Sequence, residues 1–189
     1  LDIANISEAD LEAFGPQAMA YLKWQSEWTQ TARPNQIPPE VDPETGEPWL
    51  EFGAMSGRGW GKTRVGAEWL ARAAYEDAQG LPSAVVCPTY GDVKKVAIGG
   101  PSGLLSVIPP DLVVDYNKSD FMLTIRNVAG GTSLIQGFSS EKPEGLRGPN
   151  HARAWCDEVA AWQNDQDTWD MLEMTLRLGT APQILWTST

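Results

Sequence analysis

The chain has 189 residues, of which 42% are hydrophobic and 21% are charged, proportions that are ordinary for one globular domain with a hydrophobic core. No run of about 18 apolar residues is present, which argues against a membrane-spanning helix and against a membrane partner. The net charge of −11 and the pI of about 4.4 argue against a whole surface that binds DNA, although they are compatible with a local basic patch. Because the sequence opens on Leu1 and closes on a strand-like run, 184–189, we expect it to be a fragment of a longer protein.

The N-terminal part, residues 1–48, is predicted to be a helical segment followed by a loop. Apolar residues recur near helical spacing over 7–29, and Gly15-Pro16 is expected to break this run in two. A proline-rich, acidic loop follows over 37–48, and Gln36 lies just before it.

Residues 49–63 predict a strand, a glycine-rich turn and the start of a helix. Three glycines allow the backbone to bring several N–H groups to one anion: Gly57, Gly59 and Gly61. The N-terminus of the helix, near Lys62, directs its dipole at the same place. Lys62 adds a full charge for the β- and γ-phosphates, and the Thr63 hydroxyl is suited to bind Mg²⁺. The segment is therefore predicted to be a phosphate-binding loop for ATP and Mg²⁺.

Two side chains in this loop are unusual. The pattern G-x-x-x-x-G-K-[ST] has glycine where this chain has Ser56, and serine is small enough to be tolerated in a tight turn. The amide of Trp60 is expected to face phosphate, while its indole points toward a base, a neighbouring subunit or solvent. In many P-loop motors a glutamine upstream of the loop contacts the adenine edge, which gives Gln36 such a role; an ordinary loop residue is the alternative. For the whole segment, the alternative is a strand–helix turn that binds nothing.

The middle of the chain is predicted to continue the sheet. Residues 83–87 form an apolar run that predicts a buried parallel strand, and 91–98 predict a helix with Lys94 and Lys95 on its exposed side. Residues 101–110 are predicted to form a loop with a short helix. Three segments of alternating polarity, separated by turn residues, then predict hairpins: 112–116, 122–126 and 132–138.

The last part contains a polar loop, two strands and a helix. The loop 139–149 carries Arg147 near its end, and the following strand finishes in Asp157-Glu158. Residues 165–178 predict an amphipathic helix that Gly179 caps. The last strand ends in Thr187-Ser188-Thr189.

The cysteines and the histidine are not expected to take part in chemistry. Cys87 and Cys156 lie in apolar, strand-like runs, and their spacing matches no metal site. They are predicted to be buried, reduced thiols. His151 has no partner at ligand spacing and is predicted to lie at the surface or to cap an element.

The polar strand ends predict one shared site, because ligands bind at the carboxyl ends of parallel strands. A strand followed by Asp-Glu fits a Walker B element, in which Asp157 holds Mg²⁺ through its water shell. Glu158 then polarises the attacking water as general base. Two surface acids at a strand end are the alternative. The predicted fold class is an α/β P-loop NTPase of the ASCE type over 49–189, with a mostly parallel central sheet, flanking helices and a β-hairpin insertion.

The order of these motifs resembles the large terminase subunit of tailed bacteriophages, particularly the versions in prophages and gene-transfer-agent clusters. The resemblance runs from about Ala32 to the end and implies an ATPase lobe that drives double-stranded DNA into a procapsid. It implies other copies of the chain in a ring, a portal protein and a small terminase subunit as partners. It also implies the cytoplasm of the bacterial host as the location, outside the mature virion. The nuclease lobe that follows in the family is not contained in this sequence.

The resemblance further assigns roles to single positions. It implies that nucleotide binds along the loop Ser56, Gly57, Arg58, Gly59, Trp60, Gly61, Lys62 and Thr63. Arg58 matches the arginine that these terminases place inside the Walker A loop. Asp157 and Glu158 match the Walker B aspartate and the catalytic glutamate.

Three further matches lie outside these two motifs. Thr187, Ser188 and Thr189 match the coupling motif, which senses the γ-phosphate and relays its loss. Arg147 falls where the family is thought to offer an arginine to the nucleotide of the next subunit. Gln36 matches the adenine-side motif more weakly.

Two other protein classes share parts of this pattern. The first ATPase lobe of a nucleic-acid helicase also has a P-loop, an Asp-Glu pair and a Ser/Thr triplet, and it would continue into a second ATPase-like lobe. A non-catalytic nucleotide-binding or assembly module is the other class, against which the intact Lys62, Asp157 and Glu158 argue.

Overall fold

The computed structural model describes residues 15–189, which form a seven-stranded sheet with helices on both faces. The α-helices are α1 (Pro16–Thr31), α2 (Lys62–Glu76), α3 (Tyr90–Asp92), α4 (Leu104–Val107) and α5 (Asp165–Thr175). The strands are β1 (Glu51–Met55), β2 (Ser83–Cys87), β3 (Val113–Asn117), β4 (Met122–Arg126), β5 (Thr132–Ser139), β6 (Arg153–Cys156) and β7 (Gln183–Ser188). A π-helical turn, Val93–Ile98, continues α3, and short 3-10 turns cover Pro34–Gln36, Pro110–Leu112, Pro143–Leu146 and Val159–Ala161.

The strand order is β1-β7-β6-β2-β5-β4-β3. The first five strands in this order pair in parallel, whereas β4 pairs antiparallel with both β5 and β3. The sheet is therefore mostly parallel, with an antiparallel extension at one edge, as the sequence predicts. The carboxyl ends of β1, β7 and β6 lie side by side and carry the predicted site residues.

The core lies on both faces of the sheet. On β2, Val85 and Cys87 pack into one cluster together with α1 and α2, while Ala84 and Val86 pack into the other with α5. This alternation is what a strand buried on both faces requires. The cysteine prediction is confirmed, since Cys87 and Cys156 are buried and free. Burial raises the pKa of both thiols well above the ordinary value.

Helix α2 packs closely over β6 because residue 66 is glycine. A Cβ atom at Gly66 would overlap the indole of Trp155, which is fully buried beneath the helix. Trp155 lies on β6, and Asp157, two residues later, directly follows the end of this strand. The close approach thus fixes the phosphate-loop helix against the strand that carries the acids.

The predicted helix over 165–178 is wrong at its C-terminal end. Helix α5 ends at Thr175, because the next residues pair with His151. The amide of His151 donates to the carbonyl of Thr175 at 2.8 Å, and the amide of Leu178 donates to the carbonyl of His151 at 3.2 Å. Gly179 consequently does not cap the helix.

The surface position predicted for His151 is wrong, since the residue is only 1% exposed. The predicted alternative, a capping role, agrees with the bond from its backbone amide to the carbonyl of Thr175, the last residue of α5. Nδ1 of His151 lies 2.9 Å from the Thr175 hydroxyl, whose own hydrogen goes to the carbonyl of Leu172. Nδ1 is therefore the protonated nitrogen of a neutral ring. Burial lowers the pKa of His151 to about 4.

The first described helix begins at Pro16, a residue suited to the first helical position. The part of the predicted helix over 7–14 lies outside the described residues. The predicted helix over 91–98 is present as α3 and its π-helical turn, with Lys94 and Lys95 exposed. Among residues 15–189, no helix is both long and apolar enough to cross a membrane.

Candidate functional site

The glycine-rich loop links β1 to α2 at the carboxyl edge of the sheet. The amide of Ser56 donates to the carbonyl of Ser188 at 3.1 Å, which ties the start of the loop to the end of β7. Gly61 has a φ of +95°, and a Cβ atom there would lie 2.8 Å from Nε2 of Gln36. Both the backbone angle and the close approach therefore require glycine at this position.

The Lys62 ammonium lies between the loop and the acidic pair. The side chain is only 6% exposed, and Nζ donates to the carbonyl of Ser56 at 2.8 Å. Nζ also lies 3.4 Å from Oε1 of Glu158. The charge of Lys62 is thus positioned where the predicted loop and the predicted Walker B strand meet.

Each of the two acids accepts a hydrogen bond from a threonine of β7 or its end. Oγ1 of Thr187 donates to Oδ1 of Asp157 at 2.7 Å. Oγ1 of Thr189 lies 2.7 Å and 2.9 Å from the two carboxylate oxygens of Glu158. The family resemblance implies that these residues sense phosphate, and the structure shows two of them bonded to the acids. The third, Ser188, accepts a hydrogen bond from the amide of Ala160 at 3.3 Å.

The two acids differ in their surroundings. Asp157 is 3% exposed, and burial is the main cause that raises its pKa to about 6. The charge of Glu158 also raises this pKa, whereas the hydrogen bond from Thr187 and the charge of Lys62 lower it. Glu158 is partly exposed and has a φ of +48°, a left-handed conformation that is costly for a residue with a side chain. Its carboxylate contacts Lys62 and Thr189.

A cavity of about 480 Å³ lies above these groups. Six of the predicted residues line it: Arg58, Gly59, Gly61, Lys62, Thr63 and Glu158. Four residues that the sequence analysis did not name also line it: Arg64, Val96, Pro101 and Ser102. We call this the phosphate cavity.

A second cavity, of about 650 Å³, lies beside the other face of the loop. Gln36, Trp60 and Arg64 line it together with Trp28 and Arg33. We call it the base cavity because it adjoins the phosphate cavity on the side of Gln36. Its volume is within the range of small-molecule sites.

The oxygen and the nitrogen of the Gln36 side-chain amide both form hydrogen bonds within the protein. Its Oε1 accepts from the backbone amide of Arg33 at 2.8 Å, and its Nε2 donates to the carbonyl of Trp60 at 2.6 Å. The Arg33 guanidinium donates to the same carbonyl at 2.7 Å. Gln36 therefore braces the glycine-rich loop, while the indole of Trp60 packs against the core.

The two predicted arginines lie in different places. Arg58 lines the phosphate cavity of its own chain. Arg147 is exposed and lines another cavity, of about 540 Å³, against α5 with Asp167, Asp170 and Met174. The fold therefore does not bring Arg147 to the nucleotide loop of its own chain.

The sequence analysis missed a buried charge cluster next to the loop. Glu68 is 0% exposed and pairs with both Arg64 and Arg72. Arg64-x-x-x-Glu68-x-x-x-Arg72 is an i,i+4 pattern on one helix face, so the spacing contained the signal. Only the burial of Glu68 beneath α1 distinguishes it from ordinary surface pairs.

Comparisons with known proteins agree with this geometry. Residues 54–189 match the family model described as "Terminase large subunit, T4likevirus-type, N-terminal". No curated protein sequence matches the chain.

Solved structures share the fold. The large terminase ATPase domain of Thermus phage P74-26 is 19% identical with a TM-score of 0.58, over 74% of this chain and 59% of that one. A large terminase of a thermophilic bacteriophage in complex with ADP is 17% identical with a TM-score of 0.57, over 93% of this chain and 38% of that one. The complex of the same terminase with ATP-γ-S is 15% identical with a TM-score of 0.54, over 88% of this chain and 36% of that one. The chain thus spans less than two thirds of these proteins.

The family match covers residues 54–189, which is most of the chain and includes the glycine-rich loop and the acidic pair. The solved terminases share the P-loop fold of this chain. The chain therefore belongs to the family of terminase large subunits and represents their N-terminal domain.

Proposed function

We propose that this chain is the ATPase lobe of a large terminase subunit, which hydrolyses ATP with Mg²⁺ to move double-stranded DNA into a procapsid. The observation that carries the proposal is the meeting of Lys62 and Glu158 at one cavity of a terminase-family fold, with Asp157 next to Glu158 at the end of β6. Relatives that were solved with ADP and with ATP-γ-S support a nucleotide as the ligand.

Lys62 would bind the β- and γ-phosphates, together with the amides of the glycine-rich loop. Its ammonium pairs with the carbonyl of Ser56 and with Glu158. Lys62 would have to exchange its contact with Glu158 for one with a γ-phosphate, which would release the Glu158 carboxylate. Binding of ATP and freeing of the base would thereby be linked.

Thr63 and Asp157 fit a magnesium ion. They offer a hydroxyl and a carboxylate oxygen, and hard oxygen donors are the ligands that Mg²⁺ prefers. Among residues 15–189, no group of three or more His, Cys, Asp and Glu side chains could hold a metal ion alone. In the proposed site the ion would be held by few protein ligands together with phosphates and waters, and it would neutralise phosphate charge.

Glu158 would act as general base for the attacking water, and Thr189 fixes its orientation. Arg58 would neutralise charge on the phosphates of its own subunit, since it lines that subunit's phosphate cavity. We assign Arg147 to the nucleotide of the neighbouring subunit, because its side chain lies away from its own loop. Thr187 and Ser188 would transmit the loss of phosphate through β7.

The partners follow from this function. Other copies of the chain would form a ring, double-stranded DNA would pass through it during translocation, and a portal protein and small terminase subunit would join it. The cytoplasm of the bacterial host is the proposed location.

The test compares point variants of the full-length protein with matched controls. Glu158→Gln removes the base, so ATP should still bind while turnover falls by about 10²–10⁴. Glu141→Gln, a change at an exposed glutamate, is its control.

Lys62→Ala should weaken ATP binding by roughly 1.5–3 kcal/mol, whereas the change Lys95→Ala at an exposed lysine should not. ATP turnover, calorimetric affinity and DNA protected inside procapsids are measured together. Wild-type turnover in Glu158→Gln, or strand separation without packaging, would overturn the proposal.

A further inference from the structure

Arg64 lines both the phosphate cavity and the base cavity. The two cavities share Gly59, Gly61 and Arg64, and of these only Arg64 has a side chain beyond hydrogen. Arg64 directly follows Thr63 in the first turn of α2. Its side chain therefore stands at the passage from the phosphate end of the site to the end that adjoins Gln36.

The side chain of Arg64 forms an ion pair with a buried acid, Glu68. Nε and NH2 of Arg64 lie 2.8 Å and 2.6 Å from Oε1 of Glu68, whose side chain is 1% exposed. The other oxygen of Glu68 accepts from Nε1 of Trp24 at 2.7 Å and from Nε of Arg72 at 3.3 Å. A buried carboxylate is tolerated only when it is paired and hydrogen-bonded, and these four contacts meet that need.

The guanidinium of Arg64 is also held by an aromatic ring. Its Cζ lies 5.6 Å from the ring centre of Trp28, within the range of a cation–π contact. The side chain is nevertheless 38% exposed. Arginine has five N–H donors, and the contacts with Glu68 leave those on NH1 free for a ligand. The residue is thus fixed on one side and open toward the cavities on the other.

We propose that Arg64 binds the nucleotide where the phosphate chain meets the nucleoside, at the α-phosphate and ribose, and that Glu68 is the positioning residue that holds it there. The inference rests on the proposed nucleotide function. A nucleoside triphosphate with its terminal phosphates at Lys62 and its base in the base cavity must pass Arg64. A planar guanidinium with free donors suits a phosphate oxygen at that point. Arg64 would therefore favour nucleoside triphosphates over inorganic pyrophosphate, which has neither an α-phosphate nor a ribose.

Arg72 offers a matched control. It pairs with the same Glu68, and its Cζ lies 5.2 Å from the ring centre of Trp24, much as Arg64 lies over Trp28. Arg72 lines neither of the two cavities, however, and instead lines a separate one with Trp49 and Trp69. Loss of either arginine weakens the buried cluster, but only loss of Arg64 removes a group from the nucleotide path.

The experiment measures binding of two Mg²⁺-loaded probes, ATP-γ-S and inorganic pyrophosphate, to the full-length protein by calorimetry. In Arg64→Ala we expect ATP-γ-S to bind at least tenfold more weakly, while binding of pyrophosphate, which reaches only the positions of the β- and γ-phosphates, changes less than threefold. Glu68→Gln should move the ratio of the two affinities in the same direction. Arg72→Ala should leave that ratio unchanged, even where it lowers the thermal midpoint.

Equal ATP-γ-S affinities in Arg64→Ala and Arg72→Ala would overturn the assignment, as would an equal loss for both probes in Arg64→Ala. Should Arg64→Ala fail to fold, Arg64→Lys decides the question, because it keeps a positive charge beside Glu68 but lacks the planar fork. It should weaken ATP-γ-S alone, and unchanged binding of both probes would contradict the proposal. A wild-type protein that binds neither probe would instead refute the underlying nucleotide function.

Discussion

The hydroxyl of Thr189 lies within hydrogen-bonding distance of both carboxylate oxygens of Glu158, at 2.7 Å and 2.9 Å. The two residues are 31 positions apart in the sequence and meet because β7 and β6 are parallel neighbours. A general base must be oriented as well as ionised, and in the proposed mechanism this contact would orient Glu158.

Thr189→Val should slow hydrolysis without weakening nucleotide binding. The variant keeps the shape of the side chain but removes a hydrogen bond to a charged group. If losing this hydrogen bond raises the activation free energy by about 1.4 kcal/mol, kcat falls about tenfold. Thr189→Ser, which keeps the hydroxyl, is the control. The measurement is ATP turnover by the full-length protein at saturating ATP, and equal kcat values in the two variants would contradict the role.

Gly66→Ala should destabilise the domain. The added methyl group overlaps the indole of Trp155, so α2 must move away from β6, and overpacking of this kind costs about 1–3 kcal/mol. Gly15→Ala is the control, because no atom lies within 4 Å of the methyl group that it adds. Urea unfolding without nucleotide measures the difference. Equal midpoints for the two variants would mean that the helix does not pack on Trp155 so closely.

Protonation of His151 should destabilise the fold in mild acid. Its pKa is about 4 in the folded state, below the ordinary histidine value, so the unfolded chain binds the proton more readily between about pH 6.5 and pH 4. Its contribution to the free energy of unfolding is complete above this window, and roughly 3 kcal/mol of it is lost as the pH falls through it.

His151→Asn tests this, because asparagine keeps a donor near Nδ1 but does not titrate. The stability gap between the wild type and the variant should shrink by roughly 3 kcal/mol from pH 7 to pH 4. The raised pKa of Asp157 acts in the opposite direction and cancels in this comparison, since both proteins keep Asp157. A gap that does not change with pH would show that His151 does not control it.

Arg147→Ala should reduce hydrolysis by the assembled motor, and mixing should restore part of it. An arginine that reaches a neighbour's γ-phosphate contributes about 10³–10⁵ in turnover. In rings that combine Arg147→Ala with Glu158→Gln subunits, an intact site can meet an intact Arg147 next door. Turnover is measured across mixing ratios in full-length rings that are shown to be mixed. Activity that stays at the parental level at every ratio would place Arg147 in its own subunit's site.

The sequence predicted best what depends on neighbouring residues. Lys62 and Thr63 follow a glycine-rich turn between a strand and a helix, and Asp157 and Glu158 end an apolar run, so local spacing located all four. The contacts between Gln36 and Trp60 were not predictable in this way. They span 24 positions and depend on how the Pro34–Gln36 turn packs against the loop.

The burial of His151 was not predictable from the sequence for a related reason. A lone polar residue after a loop gives no local sign of burial, and only its pairing with Leu176 and Thr175 encloses it. The same pairing ends α5 early, although the apolar spacing continues to Leu178. Glu68 differs, because its two arginine partners were visible at helical spacing and only its depth beneath α1 was hidden.

Strand β7 lies between the two strands that lead into the candidate site. It pairs with β1 on one side as far as Met55 and with β6 on the other as far as Cys156, and its Ser188 carbonyl accepts the amide of Ser56. Any shift of its last residues must stretch its bonds to one neighbour or to both. Strand β7 therefore connects the loop that carries Lys62 with the strand that leads to the acids through backbone hydrogen bonds on both sides.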